Sequence, residues 1–154
     1  MTYLPDDITI REATLAEIDA IHAIEVVSFP SPWRPEFFSH ELDVPGRLNL
    51  VAIREGIVVG YAFAMWILDE MHINKIAVSQ DLRRSGIANE LMDHCFSTAR
   101  EQAVESITLE VRKSNGGAIA FYSHLGFASI FVRRRYYPDG EDAVFMTCDV
   151  PTLP

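Results

Sequence analysis

Cysteine is scarce in this chain, with only Cys95 and Cys148 among 154 residues. They form neither a disulfide framework nor a zinc-ligand spacing, which fits a reducing cytoplasm. Long apolar runs are missing too. The longest, IVVGYAFAMWIL at 57–68, falls short of the ~20 residues a membrane helix needs and reads as a buried strand, so no membrane partner is expected. The opening MTYLPDDITI has no basic stretch leading into an apolar one, and no secretion signal is expected. Neither G-x-x-x-x-G-K-[ST] nor G-x-G-x-x-G occurs, which removes the usual support for a nucleoside triphosphate or a dinucleotide. Positive charge is thin: 13 Lys and Arg stand against 22 Asp and Glu, a net −9 that argues against a nucleic-acid surface. Repeats and low-complexity tracts are also lacking.

What is present is ordinary globular composition, 49% hydrophobic and 23% charged. The length suits one domain, taken as 1–154, and no linker interrupts it. The charge is uneven. Residues 1–70 carry 12 acidic and 4 basic side chains, whereas 71–154 carry 10 and 9. An acidic first half can attract a cationic acceptor and a more basic second half an anionic cofactor, although two differently charged solvated faces would look the same.

Element signals alternate. ITIREA reads as a strand. TLAEIDAIHAIEVVSF follows as a helix with Thr14 at its N-cap, Glu17 completing a capping box, and Ile18, Ile21 and Ile24 on one face. FPSPW breaks it, and RPEFFSHEL is a short second helix. Two strands surround Glu55-Gly56, EMHINKIAVSQ is a fourth strand, and GIANELMDHCFSTAREQ a third helix with Ile87, Leu91, Cys95 and Phe96 inward. Strand SITLEV, helix GGAIAFYSHL and strands ASIFVRR and DAVFMTCDV complete a mixed α/β layer structure.

Two stretches can carry chemistry. In VSQDLRRSGIANELM, Arg83, Arg84, Ser85 and Gly86 join a strand to a helix. A glycine there lets backbone approach a ligand, the first-turn N–H groups suit an anion, and arginines add bidentate phosphate donors. A plain loop with solvated arginines fits the same letters. In LEVRKSNGGAIAFYSHLGF, alternation puts Glu110 on the polar face of its strand near the carboxyl end, where α/β sheets hold ligands. Asn115 suits a cap and Gly116-Gly117 a turn, and Tyr122 follows ~10 Å along the helix. From spacing alone the ordinary reading, a strand-turn-helix with an interior tyrosine, prevails.

IAVSQDLRRSGIANELM resembles the acetyl-CoA motif of the GCN5-related N-acetyltransferase superfamily, roughly Q/R-x-x-G-x-G/A, with Ala88 in the last position. TLEVRKSNGGAIAFYSHLGF, SFPSPWRPEFF and RRYYPDGEDAVFM are similar more narrowly to the bacterial ribosomal-protein-alanine N-acetyltransferase branch, and the likeness spans about residues 8–149. The resemblance implies an acyl-CoA N-acyltransferase fold: a single mixed, mostly antiparallel seven-stranded sheet flanked by helices, with parallel strands four and five splayed. It implies acetyl-CoA as co-substrate, with the pantetheine arm on the backbone of Ile76, Ala77 and Val78. The pyrophosphate falls to Arg84, Ser85, Gly86, Ile87, Ala88 and Asn89, with Arg83 and Tyr122 as further cofactor contacts. Glu110 becomes the general base, Tyr122 the general acid, and Asn115 a CoA contact. The implied acceptor is the N-terminal alanine of a small-subunit ribosomal protein. Other N-termini, lysines or small amines are the alternative, and a non-catalytic acyl-CoA-binding module stands further off. Ser31 lengthens the acceptor-side loop.

Transfer from a thioester to an amine needs a neutral amine, a stabilised oxyanion and a protonated leaving thiolate, and no metal. Backbone N–H groups near Ile76–Val78 can serve the oxyanion if strand four is bulged. An α-amine is on the order of 10% neutral at pH 7 and a lysine about 0.04%, so a single carboxylate base has the easier task on an N-terminus. Glu70 or His72 can relay protons or replace Glu110. Cys95 reads as core, and Cys148 lacks a paired base for an acyl-cysteine route. Arg133-Arg134-Arg135 and Tyr136-Tyr137 are expected to border the acceptor groove, with Asp139, Glu141 and Asp142 attracting a cationic N-terminus.

Overall fold

The computed structural model describes residues 7–151. Residues 1–6, read above for a leader, and 152–154 lie outside the described residues. Seven strands form one sheet: β1 (Ile8–Glu12), β2 (Arg47–Arg54), β3 (Ile57–Ile67), β4 (Glu70–Val78), β5 (Ser106–Arg112), β6 (Ala128–Arg133) and β7 (Ala143–Asp149), in the order β1-β2-β3-β4-β5-β7-β6. The helices are α1 (Ile18–Ser28), α2 (Pro35–Glu41), α3 (Ile87–Glu101) and α4 (Gly116–His124). β1–β2, β2–β3, β5–β7 and β6–β7 pair antiparallel, and β4–β5 pairs parallel. Among the described residues, no helix is long and apolar enough to cross a membrane.

The chain divides into two compact units, one running to Met65 and resuming over Ile73–Thr98, the other comprising Trp66–His72 and the residues from Ala99 onward. In the first, the capping box forms as expected: Thr14 Oγ1 accepts from the Ala16 N–H, and Glu17 Oε1 accepts from the Thr14 N–H at 2.8 Å. The helix it starts differs from expectation. Its first turn is a 3₁₀ turn, Leu15–Glu17, before α1 takes over. Ile18, Ile21 and Ile24 then pack with Phe38, Val51, Tyr61 and Phe63. Phe38 meets Tyr61 and Phe63 edge-on, at 5.7 and 5.1 Å between ring centroids, the geometry favoured by ring quadrupoles. α3 buries Ile87, Leu91, Met92 and Cys95, while Phe96 is only half-buried. At 3.6 residues per turn, Met92 follows Leu91 on the inward face and Phe96 falls at its margin.

In the second unit the alternation of β5 holds: Ile107, Leu109 and Val111 are buried and the residues between them are half-exposed. Opposite them on β7 stand Cys148, Met146 and Val144. β6, at the sheet edge, is exposed along its length.

Candidate active site

The parallel register sets the site. It pairs Glu70 with Ser106, Met71 with Ile107 and His72 with Thr108; β4 then runs on to Val78 and β5 to Arg112. Because strand side chains alternate, Glu110 lies on the same face as Thr108, two residues on, within reach of His72. Its Oε2 stands 2.8 Å from His72 Nε2, with the carboxylate side chain 20% and the imidazole 28% exposed. His72 Nδ1 lies 3.0 Å from Thr108 Oγ1, and that hydroxyl donates to Glu70 Oε1 at 3.2 Å. Glu110 Oε1 accepts from the Tyr136 hydroxyl at 3.3 Å. Of the two residues named as rivals of Glu110, His72 contacts it directly and Glu70 meets only the Thr108 hydroxyl.

Tyr136 is held edge-on against Phe145, its ring 5.4 Å away, and against Tyr137 at 5.1 Å. Burial first, then the negative charge of Glu110, raises its phenol above the usual range; the same two causes push Tyr137 to about 12. The acidic cluster is tied into its own loop. Arg112 Nη1 bonds Asp139 Oδ2 at 2.8 Å and Glu141 Oε1 at 2.9 Å, and its guanidinium lies 4.1 Å from the Tyr137 ring centroid. Asp142 accepts from the Arg135 N–H. These carboxylates fasten the β6–β7 loop. Arg133 packs over Phe145 at 5.5 Å.

Asn115 caps α4 as expected, its Oδ1 accepting from the Ala118 N–H at 3.1 Å. Tyr122 is buried, with Phe121 and Phe127 edge-on at 5.2 and 5.7 Å. Burial pushes the Cys95 thiol to about 12, and burial followed by the charge of Asp149 raises that of Cys148.

In the first unit, β4 ends at Val78 rather than Gln80, and a 3₁₀ turn, Gln80–Leu82, leads into the arginine loop. Arg84 and Gly86 both adopt positive φ, 65° and 93°; only glycine does so without strain, which accounts for Gly86. Ser85 Oγ donates to Leu82 O at 2.5 Å and Arg83 Nε to Val78 O at 3.3 Å, so one expected phosphate donor is partly engaged by its own loop. Ile87 is buried; Arg83, Arg84 and Asn89 are exposed, with Ala88 between.

A second charged cluster in this unit was missed. Glu25, wholly buried, accepts from the Tyr61 hydroxyl at 2.5 Å and the Trp33 N–H at 2.9 Å, and pairs with Lys75 Nζ at 3.0 Å. A carboxylate inside the apolar stripe of α1, four residues after Ile21, was the available signal.

Residues 18–127, more than half of the chain, match the acetyltransferase (GNAT) family. The chain belongs to that family. It is an acetyl-CoA-dependent N-acetyltransferase. This acetyltransferase is 33% identical to the [ribosomal protein bS18]-alanine N-acetyltransferase of Escherichia coli K12, over 92% of this chain and 97% of that one. The crystal structure of the E. coli ribosomal-protein-S18-alanine N-acetyltransferase superposes with a TM-score of 0.86 at 32% identity, covering 96% of each chain. An N-alpha-acetyltransferase of Saccharolobus solfataricus is 35% identical over 91% of this chain and 92% of its own.

Proposed function

We propose that this enzyme acetylates the α-amine of a protein N-terminus, with the alanine that begins ribosomal protein bS18 as its acceptor. The observation that carries the reading is the likeness to the E. coli enzyme along 96% of both chains. In this reading one transferase domain works with acetyl-CoA in the cytoplasm. The backbone of Ile76, Ala77 and Val78 takes the pantetheine arm, and Arg83, Arg84 and the residues through Asn89 take the pyrophosphate. Positive φ at Arg84 and Gly86 supports that role by turning backbone before the N-terminus of α3, where N–H groups lack intrahelical partners. Asn115, its Oδ1 engaged by the cap, contributes its amide nitrogen.

Attack by the amine on the thioester carbonyl forms the new C–N bond. Glu110 Oε1 takes a proton from the nitrogen, the C–S bond breaks, and Tyr122 donates its hydroxyl proton to the departing thiolate; Glu110 then loses its proton to water and Tyr122 regains one from water before the next turnover. The partly screened position of Glu110, hydrogen-bonded by Tyr136 and paired with His72, supports its part as base. Acetylation of other protein N-termini is the second reading, favoured by the likeness to the archaeal N-alpha-acetyltransferase.

Mass-spectrometric mapping after incubation with acetyl-CoA tests the acceptor. Three peptides are compared: one with the bS18 N-terminal sequence, one with a free alanine before unrelated residues, and one with a blocked N-terminus and an internal lysine. Preference for the first supports the proposal. Equal use of both free N-termini moves the enzyme to the second reading, and modification of the lysine alone overturns both.

A further inference from the structure

The face of β5 that carries Glu110 ends in carboxylates one way and in arginines the other. Residues paired across a sheet share a face, and alternate residues of a strand return to it. Glu70, Ser106 and Asp149 therefore make one row, and Glu110 and Phe145 another, further along β5. Thr108 and Thr147 stand between, half-buried like Ser106, Glu110 and Phe145, whereas Ile107 and Leu109 on the opposite face are buried.

Glu70 and Asp149 are exposed, and neither joins an ion pair among the described residues. Two more exposed carboxylates, Asp69 and Glu105, gather at the same end. The Glu105 N–H donates to Asp69 O at 2.7 Å and the Val150 N–H to Glu105 O at 2.8 Å, tying the starts of β4 and β5 to the end of β7. The adjoining end of α3 sets half-buried Arg100 against these four. In the other direction Arg112 is paired with Asp139 and Glu141. Arg133, Arg134 and Arg135 beyond it are exposed and form no ion pair among the described residues.

We propose that the acceptor chain lies along this face, its amine at Glu110 and its fourth to sixth residues over Glu70 and Asp149, where the two carboxylates select lysine or arginine. The inference rests on the reading of Glu110 as the base and of a protein N-terminus as the acceptor. Ser106 precedes Glu110 by ~13 Å of strand at about 3.3 Å per residue, the span from the first to the fifth residue of an extended acceptor. Between them the Thr147 hydroxyl donates to Ile107 O at 3.3 Å and the Thr108 hydroxyl to Glu70 Oε1 at 3.2 Å. The middle of the track is thus made of short side chains that already hold hydrogen bonds. Charge sets its direction: a cationic chain is drawn toward Glu70 and Asp149 and repelled from Arg133, Arg134 and Arg135. A protein that neutralises RNA phosphates carries such cationic residues, so the track suits a ribosomal acceptor.

Steady-state kinetics with acetyl-CoA and four alanine-starting peptides test the track. Three are identical except for lysines, glutamines or glutamates at the fourth to sixth positions, and the other carries the lysines well downstream, past the tenth. Exposed charge pairs are individually weak, so wild type is expected to favour the first lysine peptide over the glutamine one roughly 3- to 10-fold in kcat/KM, through KM. The preference should shrink as salt is raised. Asp149→Asn and Glu70→Gln should each weaken it, and Asp149→Lys should turn it toward the glutamate peptide. Equal use of the lysine and glutamine peptides by wild type overturns the track, as does an equal gain from the distant lysines or an unchanged ranking in Asp149→Lys. In each of these cases acetylation of the alanine itself still stands. No transfer to any of the four peptides instead removes the acceptor reading and the track with it. If Asp149→Lys fails to fold, an undiminished preference in both Asp149→Asn and Glu70→Gln is the overturning result.

Discussion

Removing the ammonium of Lys75 exposes how the first unit tolerates a buried carboxylate. Glu25 is fully excluded from water, and Lys75, only 14% exposed, is the cation set against it at 3.0 Å. Lys75→Met maintains the apolar stem and deletes the charge. The Tyr61 hydroxyl and the Trp33 N–H remain as donors, but both are neutral, and burial already holds the Tyr61 phenol far above its ordinary range. Breaking a buried pair from one side costs about 3–5 kcal/mol. The two surviving hydrogen bonds and the residual exposure of Lys75 favour the lower end, about 3 kcal/mol. Lost attraction to the Phe29 ring, 4.1 Å from Nζ, adds roughly 0.5–1 kcal/mol. For a chain of this length that corresponds to a fall in Tm of roughly 7–16 °C, at about 2–4 °C per kcal/mol. Thermal and urea unfolding followed by circular dichroism give the number. Adding Glu25→Gln to Lys75→Met removes the stranded charge and is expected to recover on the order of 2 kcal/mol. A loss under about 1 kcal/mol for Lys75→Met, or a double variant less stable than Lys75→Met, refutes the electrostatic account.

Two further outcomes follow from local geometry. A Cβ on Gly60 would sit 3.1 Å from Ala77 O and 3.5 Å from Val78 Cγ2, so Gly60→Ala must displace β4 where the pantetheine is proposed to bind. It is expected to cost roughly 1–3 kcal/mol and to raise KM for acetyl-CoA severalfold, with peptide KM little changed; an unaltered KM for acetyl-CoA in steady-state kinetics counts against that placement. The Glu141 carboxyl is held at about 2 by hydrogen bonding from Ser114 and then by Arg112, against an ordinary 4.5. A lowered pKa means the loop contact contributes fully above 4.5 and is lost as pH falls toward 2. The Ser114 amide, donating to Glu141 Oε2 at 2.9 Å, should report this in an NMR titration, and a midpoint above 4 contradicts it.

The sequence by itself determined the local elements and the family. The Thr14–Glu17 capping box, the Ile18, Ile21 and Ile24 stripe, the alternation of SITLEV and the Asn115 cap are short-range patterns, and each appears in the structure. Glu110 on the polar face of β5 was legible for the same reason, since strand side chains alternate regardless of partners. Which side chains meet was not, because register is a nonlocal choice. Only the pairing of His72 with Thr108 brought the His72 ring against Glu110 and the Thr108 hydroxyl against Glu70. Only the return of the β6–β7 loop onto Arg112 engaged Asp139 and Glu141. Lys75 and Glu25, 50 residues apart in sequence, became a buried pair for the same reason. Patterning fixes which face of an element is buried, but contacts across sheets and loops depend on how distant segments pack, and those decide the charges and protons of the site.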